Sequence, residues 1–179
     1  GRARVVAVVA RVPADAEREG RGGVHVAVGV LGRHRRATGA AVVVNAMNPL
    51  YTQWDSKALP LNAAAVAIAR ALGATMMLPG NVYNFGSPMP ADLTEWTPQR
   101  PTNRKGEIRC RMEQAMRADA PRSIVVRAGD FFGGPGTGSW MDEAIVKDLA
   151  KGRITYPGPR NLDHAWAYLP DLARTFVML

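Results

Sequence analysis

The 179-residue chain has a single cysteine, Cys110, so neither an intrachain disulfide nor a cysteine zinc cluster can form. A lone cysteine in a helical pattern reads as packing, and no metal site is expected. No apolar run approaches the roughly 20 residues a membrane span needs. The opening lacks the charged, apolar and small-residue succession of a secretory signal. With the first methionine at Met47, this points to a cytoplasmic chain or to a piece whose true start lies upstream. Residues 1–40 lack lysine, phenylalanine, tyrosine and tryptophan, yet hold eight arginines against three acids, +5 of the net +8. A basic stretch can mark nucleic-acid binding. This one has no aromatic platform on which bases stack, so a solvated basic face is the preferred reading and nucleic acid an unlikely partner. Those residues also lack a Gly-x-Gly-x-x-Gly that follows a strand and opens a helix.

What is present fits a folded globule, since 47% of residues are apolar and one domain of this length can bury a core. The opening is almost wholly Arg, Ala, Val and Gly. Val5 to Val9 and Val24 to Leu31 are candidate strands and Pro13 to Glu19 a candidate short helix. The frequent glycines and the abrupt composition change near Ala40 are also compatible with partial disorder or an aberrant opening.

From Ala40 the pattern sharpens. Ala40 to Ala46 is a valine-rich run suited to a buried parallel strand. Leu59 to Leu72 is expected to be helical, with Pro60 in its first turn, Ala63, Val66, Ala67, Arg70 and Ala71 at helical spacing, and Gly73 just past its end. Thr75 to Leu78 is a second strand, expected to stop at Pro79-Gly80, with Asn81, Tyr83 and Asn84 beyond it. Strand, helix, strand at this spacing is a βαβ unit. Residues 87–103 form a Pro-rich loop of the length that usually carries function.

Arg104 to Ala118 follows as an amphipathic helix with Ile108, Met112 and Met116 on one face and Arg109, Arg111 and Glu113 elsewhere. Ser123 to Arg127 is a strand ending in a glycine-rich loop. Ser139 to Lys151 is expected to be a helix, Ile154 to Tyr156 a short strand and Leu162 to Leu169 extended. Pro170-Asp171 starts a final helix.

In this order, residues 40–179 resemble the extended short-chain dehydrogenase/reductase family, the NAD-dependent epimerase/dehydratase group. The segments that carry the resemblance are Val-Val-Val-Asn-Ala-Met-Asn, Leu-Pro-Gly-Asn-Val-Tyr-Asn-Phe-Gly, Glu95 with Pro98 and Pro101, Val-Val-Arg-Ala-Gly-Asp-Phe-Phe-Gly-Gly-Pro-Gly, Tyr156-Pro-Gly, and Ala-Trp-Ala-Tyr-Leu-Pro-Asp-Leu-Ala. The resemblance implies an α/β fold: a Rossmann-like doubly wound parallel sheet, N-terminally incomplete, with the start of a small C-terminal substrate-binding part. It divides the chain into a basic segment (1–40), an NAD(P)-binding domain (41–152) and the start of the substrate part (153–179).

The same resemblance implies NAD or NADP as cofactor, held by Asn45, Ala46, Met47, Gly80, Asn81 and Ala128. Asp130 falls on a substrate-facing position. His164 falls where nucleotide-sugar enzymes often carry an arginine for the diphosphate, though it reads equally as a half-buried polar residue beside Trp166. Family members often dimerise through two helices, one of them the helix that carries Lys105 here.

The chain departs from the family where the chemistry sits. Only 44 residues precede Asn45, too few for the family's glycine motif and its strand. Pro79 occupies the family's Ser/Thr position. Lys105 and Arg109 occupy the Tyr and Lys positions, four residues apart and so on one helix face. Arg109 can grip a ribose but cannot titrate, and Lys105 takes a proton only from a neutral state that burial or a neighbouring cation favours. An ordinary exposed cationic pair is the simpler reading of these two. Tyr83 is the other acid/base candidate.

Three functions follow in order. The first is an NAD(P)-dependent oxidoreductase or epimerase acting on a hydroxyl or carbonyl carbon of a small molecule, sugar derivatives among the candidates, with Lys105, Tyr83 and Arg109 as its catalytic candidates. The second is a dinucleotide-binding module without catalysis, and the third a damaged fragment with neither property.

Overall fold

In a computed structural model, the described residues are 5–8, 24–27, 39–134, 139–156 and 158–179. The chain forms two compact units, Gly1–Val126 and Arg127–Leu179.

The first unit is built on a five-stranded sheet. Its strands are β1 (Val5–Val8), β2 (Val24–Ala27), β3 (Val42–Asn45), β4 (Thr75–Gly80) and β5 (Arg122–Arg127), in the order β2-β1-β3-β4-β5. β1 pairs in parallel with β2 and β3, and β3 in parallel with β4. The valine windows of the basic opening therefore do enter the sheet. The Pro13 to Glu19 helix and residues 28–31 of the second window lie outside the described residues. The β3 run of β-branched residues alternates half-buried and buried positions, with Val43 and Asn45 inward.

β4 continues through Pro79-Gly80 instead of stopping there. Its register with β3 runs from Val42–Thr75 to Val44–Met77. Pro79 lies beyond those rungs, so its missing N–H costs no bond to β3.

Helix α1 spans Trp54–Leu72, five residues longer at its start than the sequence suggests. Trp54 is buried and donates from Nε1 to the carbonyl of Pro49 at 3.0 Å, which anchors the first turn. Pro60 therefore lies inside the helix, on its exposed side, where water can satisfy the carbonyl that its missing N–H leaves. The buried face is Ala58, Asn62, Ala65, Val66 and Ala69. Of the positions expected to mark it, only Val66 is buried; Ala63, Ala67, Arg70 and Ala71 face outward. Gly73 closes the helix in the left-handed region, φ 62°, as its position predicts.

Helix α2 (Arg104–Asp119) begins at Asn103, whose side chain accepts from the Gly106 N–H at 2.9 Å. Ile108, Met112 and Met116 are buried as expected, and they join Val43, Met76, Leu78, Ala65, Val66 and Ala69 in one core. Burying each large side chain contributes about 1.5–3 kcal/mol. Glu113 was expected away from this face but is 1% exposed.

The second unit holds a two-stranded parallel sheet, β6 (Asp130–Phe132) with β7 (Trp166–Tyr168), followed by helix α3 (Leu169–Met178). β6 falls where a glycine-rich loop was expected. Gly129 permits it: a Cβ there would lie 2.0 Å from the Ala165 carbonyl, and Asp130 N–H donates to that same carbonyl at 3.0 Å. The single helix expected over Ser139 to Lys151 is instead a π turn at Met141–Ile145 and a 3-10 turn at Leu149–Lys151. The Val146 N–H closes the π turn by reaching back five residues to Met141 O. Ile154 to Tyr156 is exposed and not a strand, and the extension expected over 162–169 narrows to β7.

Candidate functional site

The strand order changes direction between β1 and β3: the chain steps outward to β2, then returns to the other side of β1 and proceeds through β3, β4 and β5. In open α/β sheets the crevice for a ligand opens at such a switch, beyond the carboxyl ends of the strands. Here that position is the end of β1 at Val8, in register with Asn45 at the end of β3. The next residues, exposed Ala46 and half-buried Met47, lie at that position.

The Asn45 side chain is committed to the fold. It donates to Asn62 Oδ1 at 3.1 Å and accepts from the Met47 N–H at 3.2 Å, while Asn62 donates to the Met112 carbonyl at 3.1 Å. This buried chain of amides fixes the end of β3 to α1 and α2. At the β3 end it is Ala46, not the Asn45 side chain, that lies exposed.

At the next strand end, Gly80 is buried and Asn81 half-buried. The Asn81 side chain accepts from the Tyr83 N–H at 3.1 Å and sets a 3-10 turn, Tyr83–Phe85. That turn sits against the start of α2, where a Cβ on Gly106 would lie 2.4 Å from the Tyr83 carbonyl. Tyr83 and Lys105 are each half-buried beside this contact. Arg109 donates to the Pro79 carbonyl at 3.2 Å, and its guanidinium carbon lies 4.7 Å from the Trp54 ring centroid, a cation–π contact.

Sequence reasoning missed the clamp behind this strand end. Glu113 accepts from Asn84 Nδ2 at 2.9 Å and from Gln99 Nε2 at 2.7 Å. It holds the turn after β4 and the Pro-rich loop to one helix. An asparagine or acid amid buried helix positions is the only signal the sequence carries for Asn62 and Glu113.

In the second unit, Ala128 precedes β6 and is half-buried. Asp130 and His164 come together, His164 Nε2 lying 2.8 Å from Asp130 Oδ2. The His164 ring stacks on Trp166 at 4.6 Å between centroids. Both line a cavity of about 210 Å³ with Trp140, Tyr156, Trp166 and the buried Ile145. Nearby, Arg153 and Lys151 hydrogen-bond Asp148 and hold its carboxyl below the usual carboxylate range. Among the described residues no three His, Cys, Asp or Glu side chains gather as metal ligands, and no helix is long and apolar enough to cross a membrane.

Solved structures match this arrangement over nearly the whole chain. The Bordetella bronchiseptica enzyme WbmH, solved in complex with NAD+, matches at TM-score 0.72 and 12% identity, covering 98% of this chain and 71% of its own. A dTDP-4-dehydrorhamnose reductase from Bacillus anthracis, solved with NADP, matches at TM-score 0.66 and 14% identity, covering 98% and 70%. The L-threonine dehydrogenase of Clostridium difficile matches at TM-score 0.68 and 16% identity, with the same coverage. These likenesses are of fold: a Rossmann-like parallel sheet with helices. No family model and no curated protein matches the sequence. Pro79 lies on β4, and Lys105 and Arg109 lie on α2.

Proposed function

We propose that this chain binds NAD or NADP at the carboxyl edge of its parallel sheet and acts on a hydroxyl or carbonyl carbon of a small molecule, as an epimerase, dehydratase or reductase does. The observation that carries this reading is the switch in strand order at β1 and β3, with Ala46 and Met47 at its lip. Two neighbours of the same fold, solved with NAD+ and with NADP, support it.

The described residues fit the group. Ala46 is exposed beside the tied Asn45, and half-buried Asn81 follows the next strand end. A bound nicotinamide supplies or accepts the hydride. In the first unit, Tyr83 or Lys105 moves the proton on the substrate oxygen. In the second unit, the half-exposed Asp130–His164 pair offers hydrogen-bonding groups of its own to a small molecule. Pairing of two copies through the outer face of α2 belongs to the same reading and is read by light scattering.

Two measurements test it. Melting curves with NADH and NADPH read binding, and a panel of alcohols and ketones, followed at the nicotinamide absorbance, reads turnover. The melting temperature rises with at least one dinucleotide. Replacing the proton-transfer group, by Tyr83→Phe or Lys105→Ala, lowers turnover by about a hundredfold or more while the melting shift stays. The absence of any shift with either dinucleotide overturns the proposal. Binding without turnover selects the second reading, a non-catalytic module. Arg109 favours that outcome, because its guanidinium is engaged by Pro79 and Trp54.

A further inference from the structure

We propose that copies of this chain associate by a turn-into-groove contact, in which the Trp96 turn of one copy seats between α1 and α2 of the next. This deepens the pairing of copies stated above and rests on it for the choice of a second copy as partner. Both halves of the contact lie on the first unit.

The turn presents its tryptophan on an ordered backbone. Thr97 N–H donates to the Thr94 carbonyl at 3.2 Å, Thr94 N–H to Thr97 Oγ1 at 2.9 Å, and Trp96 N–H to Thr94 Oγ1 at 3.3 Å. Behind it the Pro-rich loop is tied shut. Ser87 N–H donates to Thr102 Oγ1 at 3.1 Å, and Gln99 Nε2 to the buried Glu113 at 2.7 Å. Yet Trp96 is 84% exposed. A large aromatic on a backbone already fixed loses little freedom on binding, and tryptophan is among the residues that anchor interfaces most often. Glu95 beside it is exposed, and no cation pairs with it among the described residues.

The groove matches the turn in size and in charge. It measures about 450 Å³, within the roughly 300–1,000 Å³ that encloses a drug-sized ligand, and so has room for one indole. Leu59, Ala63, Ala115 and Ala118 give it an apolar floor, and exposed Arg111 and Gln114 form its polar rim. Arg111 has no carboxylate partner among the described residues. An indole on that floor has the Gln114 amide oxygen as acceptor for its N–H, and Glu95 brings Arg111 the charge it lacks. A contact of α2 with α2 sets this patch against itself, cation against cation, whereas the turn brings it a carboxylate. One indole and one ion pair cover far less than the roughly 1,200–2,000 Å² of a stable interface, so the association is weak and depends on concentration.

The test is sedimentation velocity on the full chain without dinucleotide, from micromolar to millimolar concentration. The mean mass of the parent rises with concentration. Trp96→Ala weakens the association about tenfold or more, as does each charge reversal alone, Glu95→Arg or Arg111→Glu. The chain carrying both reversals regains most of the parent's association. All three side chains are exposed, so melting temperatures stay at the parent value. A mixture of the Trp96→Ala and Arg111→Glu chains associates although neither does so alone, because one keeps the groove and the other the turn. Association indifferent to Trp96→Ala, or not regained by the double reversal, overturns the proposal and leaves helix pairing standing. A parent that stays single at every concentration overturns both. Dinucleotide binding is followed separately by melting shift, so a failure of the cofactor reading leaves a different signature.

Discussion

The two units use the same kinds of polar side chain at opposite depths. In the first, Asn45, Asn62, Asn84 and Glu113 are no more than 2% exposed, and they tie strand ends to helices and to the Pro-rich loop. In the second, the Asp130 and His164 side chains are 37% and 39% exposed, and they meet each other at the mouth of a cavity. A buried polar group has to find its partners inside the protein, so its bonding capacity goes to the fold. A half-exposed pair keeps part of that capacity for a ligand. The contrast makes the amide chain of the first unit a scaffold and leaves the Asp130–His164 pair with bonding capacity to spare.

Breaking the scaffold has the largest expected effect. Glu113→Ala leaves the buried Asn84 amide and the half-buried Gln99 amide without their acceptor, and a stability loss of about 3–4 kcal/mol is expected in urea unfolding. Asn62→Ala strands the Asn45 amide, with an expected loss of about 2 kcal/mol by the same measurement. His164→Ala sharpens the comparison from the other side. Its stability should stay within about 0.5 kcal/mol of the parent in urea unfolding.

The smallest effect concerns Asp148. Its carboxyl is held below the ordinary range by Arg153 and Lys151, so folding favours its charged form. The stability it contributes is present above the ordinary aspartate range and is lost as pH falls through the lowered value. Asp148→Asn should therefore lower the melting temperature slightly at neutral pH, and the difference from the parent should vanish in acid.

How much of this was legible in the sequence follows from how local each cause is. β3 was legible because a run of valines fits a buried strand and little else. The three apolar residues of α2 were legible because charged neighbours separate them at helical spacing. The buried face of α1 was not, because alanine occupies almost every position from Ala63 to Ala71 and leaves no contrast between faces. Nor was its start, which depends on Trp54 reaching the Pro49 carbonyl.

Glu113 was illegible because its partners, Gln99 and Asn84, lie 14 and 29 residues away. β6 was illegible for the same reason: its glycine-flanked residues become a strand only through pairing with Trp166–Tyr168. Asp130 and His164 were each marked out by resemblance, but their meeting depends on that pairing, 34 residues apart in the chain.

The central claim is that a dinucleotide enters at the switch between β1 and β3. Ala46 is exposed at that lip, so Ala46→Trp blocks the crevice without disturbing the core. Titration calorimetry of the parent and of Ala46→Trp with NADH and NADPH tests the claim most directly. The account predicts saturable heat for the parent with at least one dinucleotide, and its loss in the variant at an unchanged melting temperature. Equal affinity in both proteins, or no heat in the parent, would contradict it.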